Sequence, residues 1–91
     1  MNKAQEQIII SELADAYEIR MAAEELPLTV SHMSDDEYAY YLWAHQTINL
    51  LERICEVGNP GLMKEARKLA KTREGLLGRQ ILQAGQLWQN P

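Results

Sequence analysis

SDDEYAYYLWAHQTINLLERICEVGNP, residues 34–60, carries its own start, stop and periodicity, and it decides the fold. Ser34-Asp35-Asp36-Glu37 is a capping box: the serine hydroxyl accepts from the amide of Glu37, whose carboxylate accepts from the amide of Ser34. Met33 and Tyr38 take the positions of a hydrophobic staple around it. The three acids suit the positive end of the helix dipole. Gly58, followed by Asn59-Pro60, marks the stop. The spacing predicts a helix over 35–57.

Projected at 100° per residue, Tyr40, Trp43, Thr47, Leu50, Leu51 and Ile54 gather into one broad apolar arc. Asn49, Glu52, Arg53 and Glu56 form a solvent-facing arc opposite its C-terminal half. The N-terminal half differs. There Tyr38, Tyr41, Leu42 and His45 add a second ring-bearing line, so aromatic groups surround the first turns on all sides. Ordinary amphipathicity does not require this. Two arrangements fit: the 26–33 connection or the first helix covers Tyr38 and Leu42, or they stand exposed as interface anchors.

Upstream, residues 3–25 read as a helix with the stripe Ile9, Ile10, Leu13, Ala16, Tyr17 and Met21, spaced by three and four. Arg20 falls inside that stripe, and Glu24 one turn on is its nearest candidate partner. Ile8, Ile19 and Leu26 make a second apolar line between Glu12, Asp15 and Glu18, as expected of a helix touched on both sides.

Downstream, Asn59 as cap and Pro60 at the first helical position open a third helix, about 60–72, with Leu62, Met63, Ala66, Leu69 and Ala70 on its apolar side. Beyond it the chain either breaks near Thr72 to Gly75, giving a fourth segment over about 74–89, or continues to Trp88 as one long helix, with the break favoured. Continuation as one helix would place Gly75 and Gly78 in its interior at about 1 kcal/mol each. Gly78 and Gly85 share a face with Leu77, Ile81, Ala84 and Trp88, where bare backbone permits close helix approach. That approach serves either core packing or a dimer seam. The expected fold is therefore all-α: one domain over 1–91, a compact bundle of three to four helices, alone or as a homodimer.

Composition agrees. Hydrophobic residues make up 46% and charged residues 24%, values of a globular rather than a disordered chain. The single cysteine, Cys55, excludes an intrachain disulfide framework and suits a reducing compartment. With no long apolar run and no signal-peptide pattern at Met1 to Ile10, a cytoplasmic address is expected and a membrane role is not. The net charge of −4 is uneven, −8 over residues 1–58 and +4 over 59–91, so the two parts could attract within a fold or between copies.

Reactive patterns are sparse. His32, His45 and Cys55 match no zinc spacing, and no Glu-x-x-His occurs. His45, Asn49 and Glu52, one turn apart, can be drawn as a metal trio, but such trios arise by chance on polar helix edges. Gly58-Asn59-Pro60-Gly61 falls short of any phosphate-binding loop. No catalysis, cofactor or metal is expected. The function expected is protein–protein binding, as an adaptor, inhibitor or regulator of bacterial or phage type, through Tyr38, Tyr41, Leu42 and His45, with Ile8 and Ile19 as a second surface. The alternative is a nucleic-acid-binding regulator using Lys64, Arg67, Lys68, Lys71, Arg73 and Arg79, concentrated within sixteen positions. Against it stand the acidic net charge and an Arg79 where a helix-turn-helix would pack an apolar residue.

Overall fold

The computed structural model describes residues 2–25, 33–73 and 76–80. Helix α1 spans Lys3–Glu25, α2 spans Asp35–Gly58 and α3 spans Gly61–Thr72. The chain is helical again over 76–80, here α4. Among the described residues there is no strand, and the four-helix reading with a break after Thr72 holds. What was expected of residues 26–32 and 81–91, including His32, Gly85 and Trp88, lies outside the described residues.

Local chemistry places the ends of α2 as the sequence requires. Ser34 Oγ accepts from the Glu37 amide at 3.0 Å, and Glu37 Oε1 accepts from the Ser34 amide at 3.1 Å. A cap of this kind contributes about 1 kcal/mol. Both residues are buried, and Glu37 Oε2 has no hydrogen-bond partner among the described residues. Met33 packs with Tyr41 on Ala22 and Ala23, whereas Tyr38, its expected staple partner, stays exposed. At the junction to α3, Asn59 Oδ1 accepts from the Gly61 amide at 3.2 Å, while α3 itself starts at Gly61 with Pro60 in the cap position, one residue later than predicted. The Asn59 side chain also donates to Glu6 Oε2 at 2.6 Å, tying the junction to the start of α1.

Helix α1 is the axis of the bundle. It packs against both α2 and α3, which touch each other little. From Leu13 to Ala23 it is buried nearly all round: Leu13, Ala14, Ala16, Tyr17, Glu18, Ile19, Ala22 and Ala23 are all sequestered. The face of α2 that meets it is Ala44, Ile48, Leu51 and Cys55, and the face of α3 is Leu62, Ala66 and Ala70. Alanines on all three helices let the backbones approach closely. The broad arc predicted for α2 is corrected by this packing. Of its six residues only Leu51 is buried, Thr47 is half-buried, and Tyr40, Trp43, Leu50 and Ile54 are exposed. The face of α2 that meets α1 is instead the neighbouring line of smaller residues, Ala44, Ile48, Leu51 and Cys55, which leaves those larger side chains outside.

Across α1 and α2, the Tyr17 hydroxyl donates to Glu52 Oε2 at 2.9 Å, and the Arg20 guanidinium lies over the Tyr17 ring, 5.2 Å from its centroid. Arg20 is thus accommodated by an aromatic face. Burial pushes the Tyr17 phenol well above its ordinary range, and the hydrogen bond and charge of Glu52 push it the same way. The fold therefore holds this proton to higher pH than the unfolded chain does. The resulting stability is complete below the unfolded pKa of about 10 and is lost as pH rises through the folded value. We expect Tyr17→Phe to cost about 1–2 kcal/mol at neutral pH and to flatten the decline in stability above about pH 10. Urea unfolding between pH 8 and pH 11 checks this; an undiminished alkaline decline in the variant would refute the assignment to Tyr17.

Candidate protein-binding surface

Small core residues on α2 leave its large ones outside. The line Glu37, Tyr41, Ala44, Ile48, Leu51, Cys55 faces the bundle. On one side of it runs a second line with the same three-four spacing, Tyr40, Trp43, Thr47, Leu50, Ile54 and Val57, and on the other side stand Tyr38, Leu42 and His45. Seven of the nine exposed large hydrophobic side chains among the described residues belong to α2: Tyr38, Tyr40, Leu42, Trp43, Leu50, Ile54 and Val57. The other two, Ile8 and Leu76, lie on α1 and α4.

The four residues expected as anchors are brought together, with one difference. Tyr38, Leu42 and His45 are exposed, whereas Tyr41 is half-buried on the Ala22–Ala23 surface. Tyr41 Oη and His45 Nε2 are 3.0 Å apart, and their rings meet edge to face at 4.7 Å. Tyr41 thus fixes the imidazole to the core while leaving it accessible. The second expected pair is separated. Ile8 is exposed, but Ile19 is only 1% exposed and is corrected from surface contact to core residue. The cause is α4: Gly78 lies against the α1 backbone at Glu18 and Ile19.

Beside Tyr40 and Trp43 lies a groove of about 640 Å³ lined by Asp15, Ile19, Asp36, Ala39, Tyr40, Trp43 and Leu77. Its wall is apolar apart from two carboxylates. One of them, Asp15, is shared with Arg73 Nη1 at 3.1 Å. Sequence reasoning missed this groove, because α4 supplies part of it. The exposed stripe could have been found by noticing that α2 carries two adjacent three-four lines and that only one can face α1.

The basic segment divides. Lys64, Arg67, Lys68 and Lys71 stand on the exposed outer face of α3 beside Thr72, and none forms an ion pair among the described residues. Arg73 is spent on the fold, bridging Asp15 and the buried Glu18, and Arg79 is half-buried with its Nε out of solvent. The expected attraction between acidic and basic parts is thereby realised within the chain at Arg73. Four cations, not six, remain as an open face.

Other chemistry-bearing groups serve the fold. Cys55 is fully buried, and burial pushes its thiol above the usual range, with Glu52 and Glu56 adding to the effect. His45 turns to Tyr41 and Glu52 to Tyr17, so the trio drawn on the sequence does not assemble. Among the described residues no three His, Cys, Asp or Glu side chains cluster as a metal site. Nor does a described helix have the length and apolarity to cross a membrane. No protein-family model, curated protein or solved structure matches this chain.

Proposed function

We propose that this protein acts by binding another protein, with α2 as the docking helix, in the manner of a small cytoplasmic adaptor, inhibitor or regulator. The observation that carries the reading is the concentration of seven exposed apolar and aromatic side chains on one 24-residue helix. Scattered surface hydrophobes are normal, but a grouped set rich in Tyr and Trp supplies the anchors that dominate binding energy. Their exposure costs solubility and returns nothing to the folded monomer, so a partner that covers them is the economical account. The Tyr38, Leu42 and His45 side is the partner-binding side in this reading. Phenol and imidazole tips can stay wet at its rim while the rings bury.

Affinity capture from native extract tests this. The wild-type chain should recover a specific protein, and Tyr38→Ala with Leu42→Ala should weaken that interaction by about 30-fold or more. Because both side chains are exposed, the double variant should keep its helical circular dichroism and its stability within about 0.5 kcal/mol per site. Recovery of no specific protein would defeat the proposal. Equal recovery by wild type and variant would defeat the choice of surface.

A further inference from the structure

The other exposed side of α2 matches a copy of itself. Tyr40, Trp43, Thr47, Leu50, Ile54 and Val57 form an unbroken heptad line, alternating steps of three and four over about 26 Å of helix. Tyr40, Trp43, Leu50 and Ile54 are 40–62% exposed, and Val57 reaches 92%, the highest of the exposed large hydrophobics. Laid antiparallel about a twofold axis between Ile48 and Asn49, the line falls onto itself. Tyr40 meets Val57 of the second copy, Trp43 meets Ile54, and Thr47 meets Leu50; symmetry repeats each layer. A twofold contact requires one patch to be complementary to itself, and this register satisfies that condition at every position.

We propose that the protein forms an antiparallel homodimer through this stripe. The proposal rests on the reading of α2 as a docking helix and assigns one of its two exposed sides to a second copy. Side-chain volume selects the direction. Antiparallel pairing sets each bulky ring against a β-branched residue and keeps the layers even. Parallel pairing would stack Trp43 on Trp43 and Tyr40 on Tyr40 at one end and leave Val57 on Val57 at the other. The flanks agree, since Gln46 of one copy lies near Arg53 of the second and no like charges meet. The groove agrees as well. Val57 of the second copy is delivered to Tyr40, at the mouth of the cavity walled by Ile19, Ala39 and Leu77. Helix dipoles run in opposite directions, the favourable sense. Six two-residue layers along this length suit the small end of stable interfaces, roughly 1,200 Å² in total.

The test is the oligomeric state of the full chain by sedimentation equilibrium at tens of micromolar. The wild type should weigh twice its 10.4 kDa monomer mass. Leu50→Glu with Ile54→Glu should weaken dimerisation by about 100-fold while preserving helical circular dichroism, as both side chains are exposed in the protomer. Direction is read by mild oxidation of Tyr40→Cys and Val57→Cys chains. The native Cys55, being buried, stays inert. Mixed chains should cross-link, and each variant alone should not. A monomeric wild type, a dimer that survives the double glutamate variant, or self-linking of either cysteine variant would each overturn the proposal. A monomer that still captures a partner through Tyr38 and Leu42 would sink the dimer and leave the binding reading standing. A dimer that captures nothing would do the reverse.

Discussion

Gly78→Ala is expected to destabilise the protein by about 2–3 kcal/mol and to lower its melting temperature by roughly 10–20 °C. A Cβ at this position would lie 2.2 Å from the Glu18 carbonyl oxygen, 2.5 Å from its carbon and 2.7 Å from Ile19 Cα. All three atoms are backbone of the most buried helix, which has no side-chain freedom to yield. The sign is diagnostic. Alanine for glycine at an unobstructed helix position stabilises by about 1 kcal/mol, so a more stable variant would show that α4 does not rest on α1. Thermal and urea unfolding measure the effect. Limited proteolysis should locate it, with α4 cleaved before the remainder of the bundle.

Glu18→Ala should cost about 2–3 kcal/mol in the same unfolding experiment. Its side chain is wholly buried, Oε2 pairs with Arg73 at 3.2 Å and Oε1 accepts from the Leu77 amide at 3.3 Å. Removing the carboxylate leaves a cavity, an amide at the start of α4 without its acceptor, and an Arg73 that loses one of its two ion pairs among the described residues. Because the Arg73 side chain is 40% exposed, solvent screens part of the ion pair, and the figure stays below that of a fully buried one. Glu18→Gln keeps an acceptor for Leu77 and should lose about half as much. Both Glu18 and Gly78 act on the seating of α4, so their effects should combine to less than their sum. Additive losses, or a Glu18→Ala chain as stable as wild type, would show that Glu18 does not secure α4.

Much of the architecture was legible because its signals are local. The capping box at Ser34 and Glu37, the stop at Gly58, the start near Pro60 and the apolar side of α3 each depend on residues within one or two turns. Glycine's low helix propensity favoured an interruption near Thr72 over one continuous helix without deciding it, and α3 ends at Thr72. That Tyr38, Leu42 and His45 could stand exposed was also readable, because rings on every side of a helix exceed what one core face can absorb, but the alternative of a covering segment stayed open until their exposure was seen.

Other features required three dimensions. Hydrophobic periodicity counts apolarity and ignores volume, so the arc of Tyr40, Trp43 and Leu50 hid the smaller line Ala44, Ile48 and Cys55 that α1 covers. Glu18 reads as a polar edge residue until Arg73, fifty-five positions later, is brought against it. Ile19 reads as surface until Gly78 closes over it.

By itself the sequence determined that the chain forms helices, where the first three begin and end to within a residue, and that it holds more ring-bearing groups than one small core can bury. Only the tertiary structure decided which line of α2 is sealed and which is left outside. Caps, turns and propensities act over one helical turn. Which face is buried is set by side chains that meet from distant parts of the chain, here Ala44, Ile48, Leu51 and Cys55 of α2 in one cluster with α1 and α3.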